Sequence, residues 1–220
     1  MTDFEAEQVK AGSAMYSRFV LSIYDLWFLQ YNCRLFWECP ARCLLDLYNQ
    51  HVSSNHLDTG VGTGYFLDKC KFPGADVRLA LMDLNPNTLR VAGKRLSRYN
   101  PEVYRGSVTE PFALNAPAFD SIGMLNLLHC IPGNIRTKAV VLEHAKEVMK
   151  PGASLFGSTI LYEGVRRSAL ATFAIKYANK RGYMANMRDS LEDLRESLRA
   201  IFSDSSVKVI GCEALFWARK

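Results

Sequence analysis

The sequence predicts an α/β fold with a seven-stranded, mostly parallel sheet, helices on both faces and an antiparallel hairpin at its C-terminal end. Two observations predict it. Short apolar runs alternate with helical segments between about residues 55 and 160, which is typical of a parallel sheet. The apolar runs at 207–210 and 214–218 are joined by only three residues, which forces an antiparallel pair because parallel neighbours need a crossover of about a dozen residues.

The individual elements follow from the order of apolar and turn residues. We predict strands at residues 55–58, 77–83, 102–105, 119–125 and 154–160, and helices at 63–71, 85–99 and 135–149. Asn85-Pro86 indicates a helix start, because Asn caps helices well and Pro fits their first turn. Lys150-Pro151-Gly152 indicates a helix end. After the fifth strand, residues 162–201 are predicted to form a long, mostly helical insertion.

The N-terminal part of the chain is rich in aromatic residues at helical spacing between residues 12 and 48. This spacing predicts one helix before about residue 32 and another at about 40–50. A hydrophobic cap on the edge of the sheet explains most of these aromatic side chains. We therefore predict a single domain over residues 1–220, in which residues 1–50 form a helical cap or lid.

Composition and charge limit the class of protein. Of the 220 residues, 49% are hydrophobic and 22% are charged, which is ordinary for a globular domain, and the net charge is only +5. The basic pairs Lys94-Arg95 and Arg166-Arg167 are short, so we do not expect a nucleic-acid partner. The N-terminus is acidic, and no apolar run is long enough for a membrane span. We therefore expect a cytoplasmic protein with no membrane partner.

The six cysteines are expected to be free thiols in a reducing compartment. Cys33, Cys39 and Cys43 cluster loosely along the chain. They lack C-x-x-C spacing and a nearby fourth ligand, which zinc sites usually have. The sequence therefore predicts no metal site.

The segment from His56 to Phe66 carries the most informative motif. It reads as a strand, a glycine turn and a helix start, with Asp58, Gly60, Gly62 and Gly64 at alternate positions. Glycines let the backbone turn sharply and approach a ligand closely. A second acid, Asp83, ends the next predicted strand, where it can accept hydrogen bonds from ribose hydroxyls. Together these residues predict a site for a nucleoside-bearing cofactor across the first two strands.

Asp58 indicates which kind of cofactor is bound. A dinucleotide site presents a glycine turn and a helix N-terminus to a pyrophosphate. A carboxylate two residues before the first glycine would repel that pyrophosphate, but it would attract an ammonium group directly or through water. S-adenosylmethionine has an ammonium group on its methionine end and no phosphate.

At these residues the chain resembles the class I S-adenosylmethionine-dependent methyltransferases, whose first motif is typically Asp/Glu-x-Gly-x-Gly-x-Gly. The resemblance covers nearly the whole chain from about residue 40 and implies their Rossmann-like fold. It also implies S-adenosyl-L-methionine as cofactor and S-adenosyl-L-homocysteine as product. The predicted cofactor-binding residues are Asp58, Gly60, Gly62, Gly64, Asp83, Leu84, Ser107, Val108, Asn126 and Tyr24.

Ser107 departs from the family pattern, because an acid is common where it stands. A hydroxyl can still accept or donate a hydrogen bond to adenine. The segment from Asn126 to Pro132 resembles the Leu-His-(His)-x-Pro stretch of small-molecule methyltransferases. It lacks the Asn/Asp-Pro-Pro-Tyr/Phe motif with which relatives clamp a flat nucleobase. The resemblance therefore favours a small acceptor.

His129 is the candidate general base, because an unperturbed imidazole pKa near 6.5 suits proton removal at neutral pH. The alternative is that His129 only forms a wall of the pocket. The predicted substrate-binding residues are Tyr16, Trp37, His129 and Tyr162. The sequence thus predicts methyl transfer to an O, N, S or C atom of a small organic acceptor, of the kind found in secondary metabolism. Methylation of RNA or protein, and cofactor binding without methylation, remain alternatives, and the number of subunits is open.

Overall fold

The fold is described by a computed structural model for residues 33–114 and 117–220. Its centre is a seven-stranded sheet in the order β3-β2-β1-β4-β5-β7-β6. The strands are β1 Asn55–Thr59, β2 Arg78–Asp83, β3 Glu102–Arg105, β4 Phe119–Leu125, β5 Met149–Ile160, β6 Asp204–Ile210 and β7 Glu213–Arg219. The first five strands pair in parallel, and β7 pairs antiparallel with both β5 and β6. The predicted fold class is confirmed.

Helices flank this sheet along the described residues. They are α1 Cys33–Leu35, α2 Ala41–His51, α3 Tyr65–Lys69, α4 Pro86–Arg95, α5 Ile135–Lys138, α6 Val140–Glu147, α7 Ala169–Lys180 and α8 Leu191–Ile201. Asn85 caps α4 as predicted, because its side chain accepts a hydrogen bond from the backbone N–H of Asn87 and Pro86 occupies the first turn. No helix among these residues is long and apolar enough to cross a bilayer.

The apolar residues form two clusters, one on each face of the sheet. Alternation along β5 shows the division, since successive strand residues point to opposite faces. Phe156 belongs to the cluster that contains Leu44 of α2, whereas Leu155 belongs to the cluster that contains Leu142 of α6. Both faces of the central strands are therefore covered, as parallel sheets require.

The structure corrects the boundary between the last helix of the parallel half and β5. The helix predicted at 135–149 is observed as two helices, α5 and α6, and α6 ends at Glu147. Met149 already pairs with Phe119 of β4. The turn-like residues Pro151 and Gly152 lie inside β5, where the pairing with β4 shifts register and the backbone of Gly152 has φ +77°. An irregular stretch of this kind tolerates a proline that a regular ladder would exclude.

The C-terminal hairpin and the insertion are also observed. Gly211 and Cys212 alone join β6 to β7, and the positive φ of Gly211, +61°, suits a tight turn. A Cβ at Gly211 would lie 2.0 Å from the carbonyl oxygen of Trp37, so only glycine fits there. The insertion holds α7 and α8, separated by the non-helical residues 181–190.

A buried ion pair fixes this non-helical segment to the body of the domain. The Lys138 ammonium at the end of α5 donates to Oδ1 and Oδ2 of Asp189 at 2.8 and 2.6 Å. It also donates to the carbonyl of Ala185 at 2.9 Å. Both charged side chains are fully buried. A pair enclosed in this way is held by hydrogen bonds on both partners, which buried charges require.

The prediction of one domain with a cap over residues 1–50 stays a prediction, because residues 1–32 lie outside the described part of the chain. Within that part, α2 occupies the position predicted for the second cap helix. It packs against the sheet through Leu44, Leu47 and Tyr48. In residues 33–114 and 117–220, no three His, Cys, Asp or Glu side chains form a group that could hold a metal ion.

Candidate functional site

Two adjoining cavities open at the carboxyl ends of β1, β2 and β4, where ligands bind in open α/β sheets. Gly60, Gly62 and Asn126 line both of them. The first cavity is further lined by Asp83, Leu84, Asn85, Thr88, Gly106, Ser107, Val108, Thr109, Leu127, Cys130 and Ile131. The second is further lined by Tyr48, Asp58, Val61, Thr63, Tyr65, Phe66 and Leu125. The shared residues make the two cavities one elongated crevice.

The glycine turn after β1 forms the floor between the cavities. Gly60, Gly62 and Gly64 have φ values of +66°, +55° and +72°, a region that side-chain-bearing residues rarely adopt. A Cβ at Gly62 would meet no protein atom within 4 Å, so its backbone borders open space. The predicted cofactor contact of Gly64 stays a prediction. Gly64 lines neither cavity, and a Cβ there would lie 3.3 Å from the Cβ of Ala92 in α4.

Asp83 ends β2, as predicted, and is one of the residues that line the first cavity. Its Oδ1 accepts a hydrogen bond from the backbone N–H of Asn85 at 2.8 Å. Burial raises the pKa of its carboxyl to about 6, and the nearby charge of Asp58 acts in the same direction. The backbone N–H groups of Asn85, Gly62 and Leu84 partly oppose this shift. The carboxyl is therefore held in place with acceptor capacity left for a ligand.

Asp58 lies in the second cavity and is held by a buried polar network. The hydroxyl of Tyr48 on α2 donates a hydrogen bond to Oδ2 of Asp58. The Nε2 atom of His56 lies 3.5 Å from the same oxygen, and its Nδ1 lies 2.8 Å from the hydroxyl of Ser121. The ring of Tyr48 is fixed by stacking on Phe66, with centroids 5.8 Å apart. These contacts hold the Asp58 carboxylate in one orientation.

Asn126 stands where the two cavities meet, at the end of β4. Its φ is +53°, an unusual value for a residue with a side chain. Hydrogen bonds to β5 hold it there, because its N–H donates to the carbonyl of Ser158 at 2.9 Å and its Oδ1 accepts from the Ser158 hydroxyl at 3.3 Å. Strained backbone of this kind often occurs at functional sites.

The far end of the first cavity combines apolar walls with two hydroxyls. Leu84, Val108, Leu127 and Ile131 supply the apolar surface. The Ser107 and Thr109 hydroxyl oxygens lie 2.8 Å apart, and either can be the donor. The backbone N–H of Thr109 also donates to the Ser107 hydroxyl at 3.3 Å. A flat, weakly polar ring would fit between these walls.

The predicted role of His129 as general base does not agree with its surroundings. His129 is buried and lines neither cavity. Its Nδ1 accepts a hydrogen bond from the backbone N–H of Ile160 at 3.3 Å, which places the ring proton on Nε2. Burial, aided by the charge of Lys138, lowers its pKa to about 3. A ring whose free lone pair is already used has little capacity to take a proton from a substrate.

Trp37 and Tyr162, two further predicted substrate residues, are not among the residues that line the two cavities. Trp37 is buried over the β6–β7 turn, where its carbonyl accepts from the N–H of Cys212 at 3.1 Å. Tyr162 is half-buried after β5, with the guanidinium carbon of Arg167 4.1 Å from its ring centroid. Tyr16, predicted to bind substrate, and Tyr24, predicted to bind cofactor, lie outside the described residues.

Several cavity residues are absent from the sequence predictions. Leu127, Cys130 and Ile131 belong to the segment after β4 that the sequence singled out as a whole, so that segment already pointed to them. Thr109 lies two residues after Ser107, on the same loop. Tyr48 has no comparable signal, because its contact with Asp58 depends on how α2 packs on the sheet.

The chain is similar to known methyltransferases along most of its length. Residues 57–155 match the profile of the family described as methyltransferase domain. The chain is 41% identical over 212 residues to a demethylluteothin O-methyltransferase of Streptomyces thioluteus, covering 96% of this chain and 92% of that protein. It is 37% identical over 211 residues to a physcion biosynthesis cluster O-methyltransferase of Aspergillus chevalieri, covering 95% of each.

The fold is similar to that of a solved methyltransferase structure. The N-methyltransferase NodS from Bradyrhizobium japonicum, in complex with S-adenosyl-L-homocysteine, superposes with a TM-score of 0.63 at 16% identity. The match covers 96% of this chain and 98% of that one.

Proposed function

The chain belongs to the S-adenosylmethionine-dependent methyltransferases, and we propose that it transfers the cofactor's methyl group to a hydroxyl oxygen of a small organic molecule. The enzyme class, the cofactor and a small acceptor follow from the family. The oxygen as acceptor atom is the finer proposal. It is supported by the two relatives above, both of which are named O-methyltransferases. We also propose a cytoplasmic location.

The observation that best supports this function is the placement of two acids along one crevice. Asp58 lies in the second cavity and Asp83 in the first, with the glycine turn between them. S-adenosylmethionine carries its ammonium and its ribose hydroxyls at separated points. Asp58 would hold the ammonium and Asp83 the ribose hydroxyls, while Leu84 and Val108 would border the base. The two carboxylates and the open space above Gly62 fit the cofactor.

Bound S-adenosylmethionine supplies a methyl carbon made electrophilic by its sulfonium. The residues of this chain bind and orient the two reactants, and they exclude water from the site. Asn126, held rigidly against Ser158, stands where the two cavities meet and would help to orient the acceptor. Alignment of two reactants in one site can lower a barrier by roughly 7–11 kcal/mol, so catalysis can rest largely on it.

The chemistry of the cavity walls indicates which hydroxyl is methylated. Among the described residues, no His, Lys or Arg lines either cavity. An ordinary alcohol would therefore find no strong base there. A phenol or enol is far more acidic, with a pKa near 10 for a tyrosine-like phenol, and can lose its proton to bulk solvent before it is enclosed in the site. We therefore propose an acidic hydroxyl as the acceptor.

Product analysis tests this proposal directly. The protein is incubated with S-adenosylmethionine and a panel of phenols and enols, and products are examined by mass spectrometry. We expect a gain of one methylene mass unit in the acceptor and an equal amount of S-adenosylhomocysteine. Calorimetry should show binding of S-adenosylmethionine and none of NAD. Cofactor binding without methyl transfer to any small molecule would instead favour a protein that binds the cofactor without methylating.

The Tyr48 hydroxyl should matter for the amino-acid end of the cofactor and not for the nucleoside. Tyr48→Phe removes the hydrogen bond that orients Asp58 and leaves that buried carboxylate with one partner fewer. We expect the dissociation constant of S-adenosylhomocysteine to rise about tenfold. Methylthioadenosine lacks the ammonium and carboxylate, so its affinity should stay within about twofold. Equal losses for both ligands would mean that Tyr48 only supports the fold.

Cofactor affinity should fall as the pH drops through about 6. The ribose hydroxyls donate to the ionised Asp83 carboxylate, and burial raises the pKa of the unliganded carboxyl to about 6. Protonation below that pH competes with binding, whereas above it the carboxylate is already ionised. We expect the dissociation constant of S-adenosylhomocysteine to rise about tenfold between pH 7 and pH 5. Calorimetry on Asp83→Asn supplies the control, because its affinity should be weaker throughout and nearly independent of pH.

A further inference from the structure

We propose that the Ser107–Thr109 hydroxyl pair hydrogen-bonds to the purine of the cofactor and can exchange the positions of its donor and its acceptor. The enzyme would therefore accept a 6-oxo purine almost as well as adenine. The inference rests on the proposed function, because it needs a nucleoside cofactor in the first cavity. It concerns the base specificity of that site, which is separate from the choice of methyl acceptor.

The sheet order places the base at this hydroxyl pair. The second cavity lies at the end of β1 and holds Asp58, and the first begins at the end of β2 with Asp83. The strand beyond β2 is β3, and the loop after β3 carries Ser107 and Thr109. A cofactor with its ammonium at Asp58 and its ribose at Asp83 therefore extends its base toward that loop.

The two hydroxyls share one hydrogen bond in either of two directions. The Ser107 oxygen always accepts from the backbone N–H of Thr109. When the Thr109 hydroxyl also donates to it, both lone pairs of the Ser107 oxygen are used. The Ser107 hydroxyl must then donate outward, while the Thr109 oxygen can accept.

The opposite direction exchanges these roles. When the Ser107 hydroxyl donates to Thr109, its oxygen retains one lone pair and can accept from a ligand. The Thr109 hydroxyl is then free to donate outward. The pair thus always offers one donor and one acceptor, and a rotation of two hydroxyls exchanges their positions.

Purines differ in the same two features. Adenine presents a donor at its 6-amino group and an acceptor at N1, whereas hypoxanthine presents an acceptor at O6 and a donor at N1. A fixed carboxylate can only accept, so it would favour adenine and repel O6. Asp83 is the only ionisable carboxylate among the described residues that line the first cavity, and we assign it to the ribose. With Asp83 at the ribose, no carboxylate side chain of the described cavity lining is left for the base edge.

Calorimetry with two matched nucleosides tests this inference. The probes are S-adenosylhomocysteine and its 6-oxo counterpart, S-inosylhomocysteine. We expect the wild-type dissociation constants to differ by less than about tenfold, because both bases find a donor and an acceptor. In Ser107→Asp the preference for adenine should rise by at least about tenfold, since a carboxylate facing O6 leaves that oxygen unpaired.

Thr109→Val is the second variant and serves if Ser107→Asp does not fold. It removes one hydroxyl of the pair without adding charge, so both nucleosides should lose affinity by similar factors. A wild-type preference for adenine above about tenfold would overturn the inference, and so would an unchanged preference in Ser107→Asp. In both of those cases S-adenosylhomocysteine still binds, whereas failure of both nucleosides to bind would contradict the proposed function itself.

Discussion

Replacing Lys138 by Met is expected to lower the free energy of unfolding by about 3–5 kcal/mol, since it leaves the Asp189 carboxylate buried without its partner. Both side chains are fully buried, and the ammonium makes three hydrogen bonds to Asp189 and Ala185. Part of that loss reflects the cost of the isolated charge rather than the worth of the pair. Urea denaturation, with the midpoint and slope fitted separately, measures the change.

Two further variants separate the charge effect from the substitution. Arg136, two residues earlier on α5, is exposed and pairs with Asp193 and Glu196 on the surface. Arg136→Met should change stability little, because exposed ion pairs contribute little. The double variant Lys138→Met/Asp189→Leu should recover most of the loss, since it leaves no buried charge. A single Lys138→Met variant as stable as the wild type would contradict the buried-pair argument.

Gly62→Val is expected to weaken cofactor binding by at least about 100-fold while the protein still folds. A Cβ at Gly62 would meet no protein atom within 4 Å, so the new side chain would occupy cavity space rather than clash with the core. The φ of +55° is strained for any residue with a side chain, at a cost of about 1–3 kcal/mol. The loss of affinity should exceed that of Asp83→Ala, which removes hydrogen-bond acceptors but leaves the cavity open.

Gly93→Val is the matched control for this prediction. Gly93 lies in α4, also has open space at its Cβ position and has no positive φ. We expect its affinity for S-adenosylmethionine to be unchanged in calorimetry, and thermal unfolding should confirm that both variants fold. Normal binding by Gly62→Val would place the cofactor elsewhere on the protein.

Much of the parallel half of the sheet could be predicted from sequence, because its strands are short apolar runs bounded by turn residues. The predicted bounds of β3 and β4 agree with the observed ones, Glu102–Arg105 and Phe119–Leu125. The start of β5 was wrong because Lys150-Pro151-Gly152 is a common helix ending. Here the tertiary pairing of Met149 with Phe119 overrides that local pattern.

The two acids that line the cavities were also more predictable than the surroundings of the predicted substrate residues. Asp58 and Asp83 follow directly from a motif, because neighbouring parallel strands bring their ends together. Gly64 follows the same motif and lies close to Ala92 of α4, a proximity that spacing alone does not reveal. The surroundings of His129 depend on residues distant in sequence, such as Ile160 and Lys138. The residues next to His129 in the chain therefore do not reveal that its pKa is lowered.

The attachment of the segment between α7 and α8 has a consequence for the design of chimeras between relatives. Asp189 and Ala185 of that segment both bond to Lys138 on α5, and the N–H of Ala185 donates to the carbonyl of His129. The segment is thus attached to residues that lie about 50 positions earlier in the chain, before β5. A chimera that imports residues 161–201 from another enzyme would need a compatible residue at position 138, or the imported acid would be enclosed without a counter-ion. A recombination breakpoint placed before α5 would transfer Lys138 and the attached segment together.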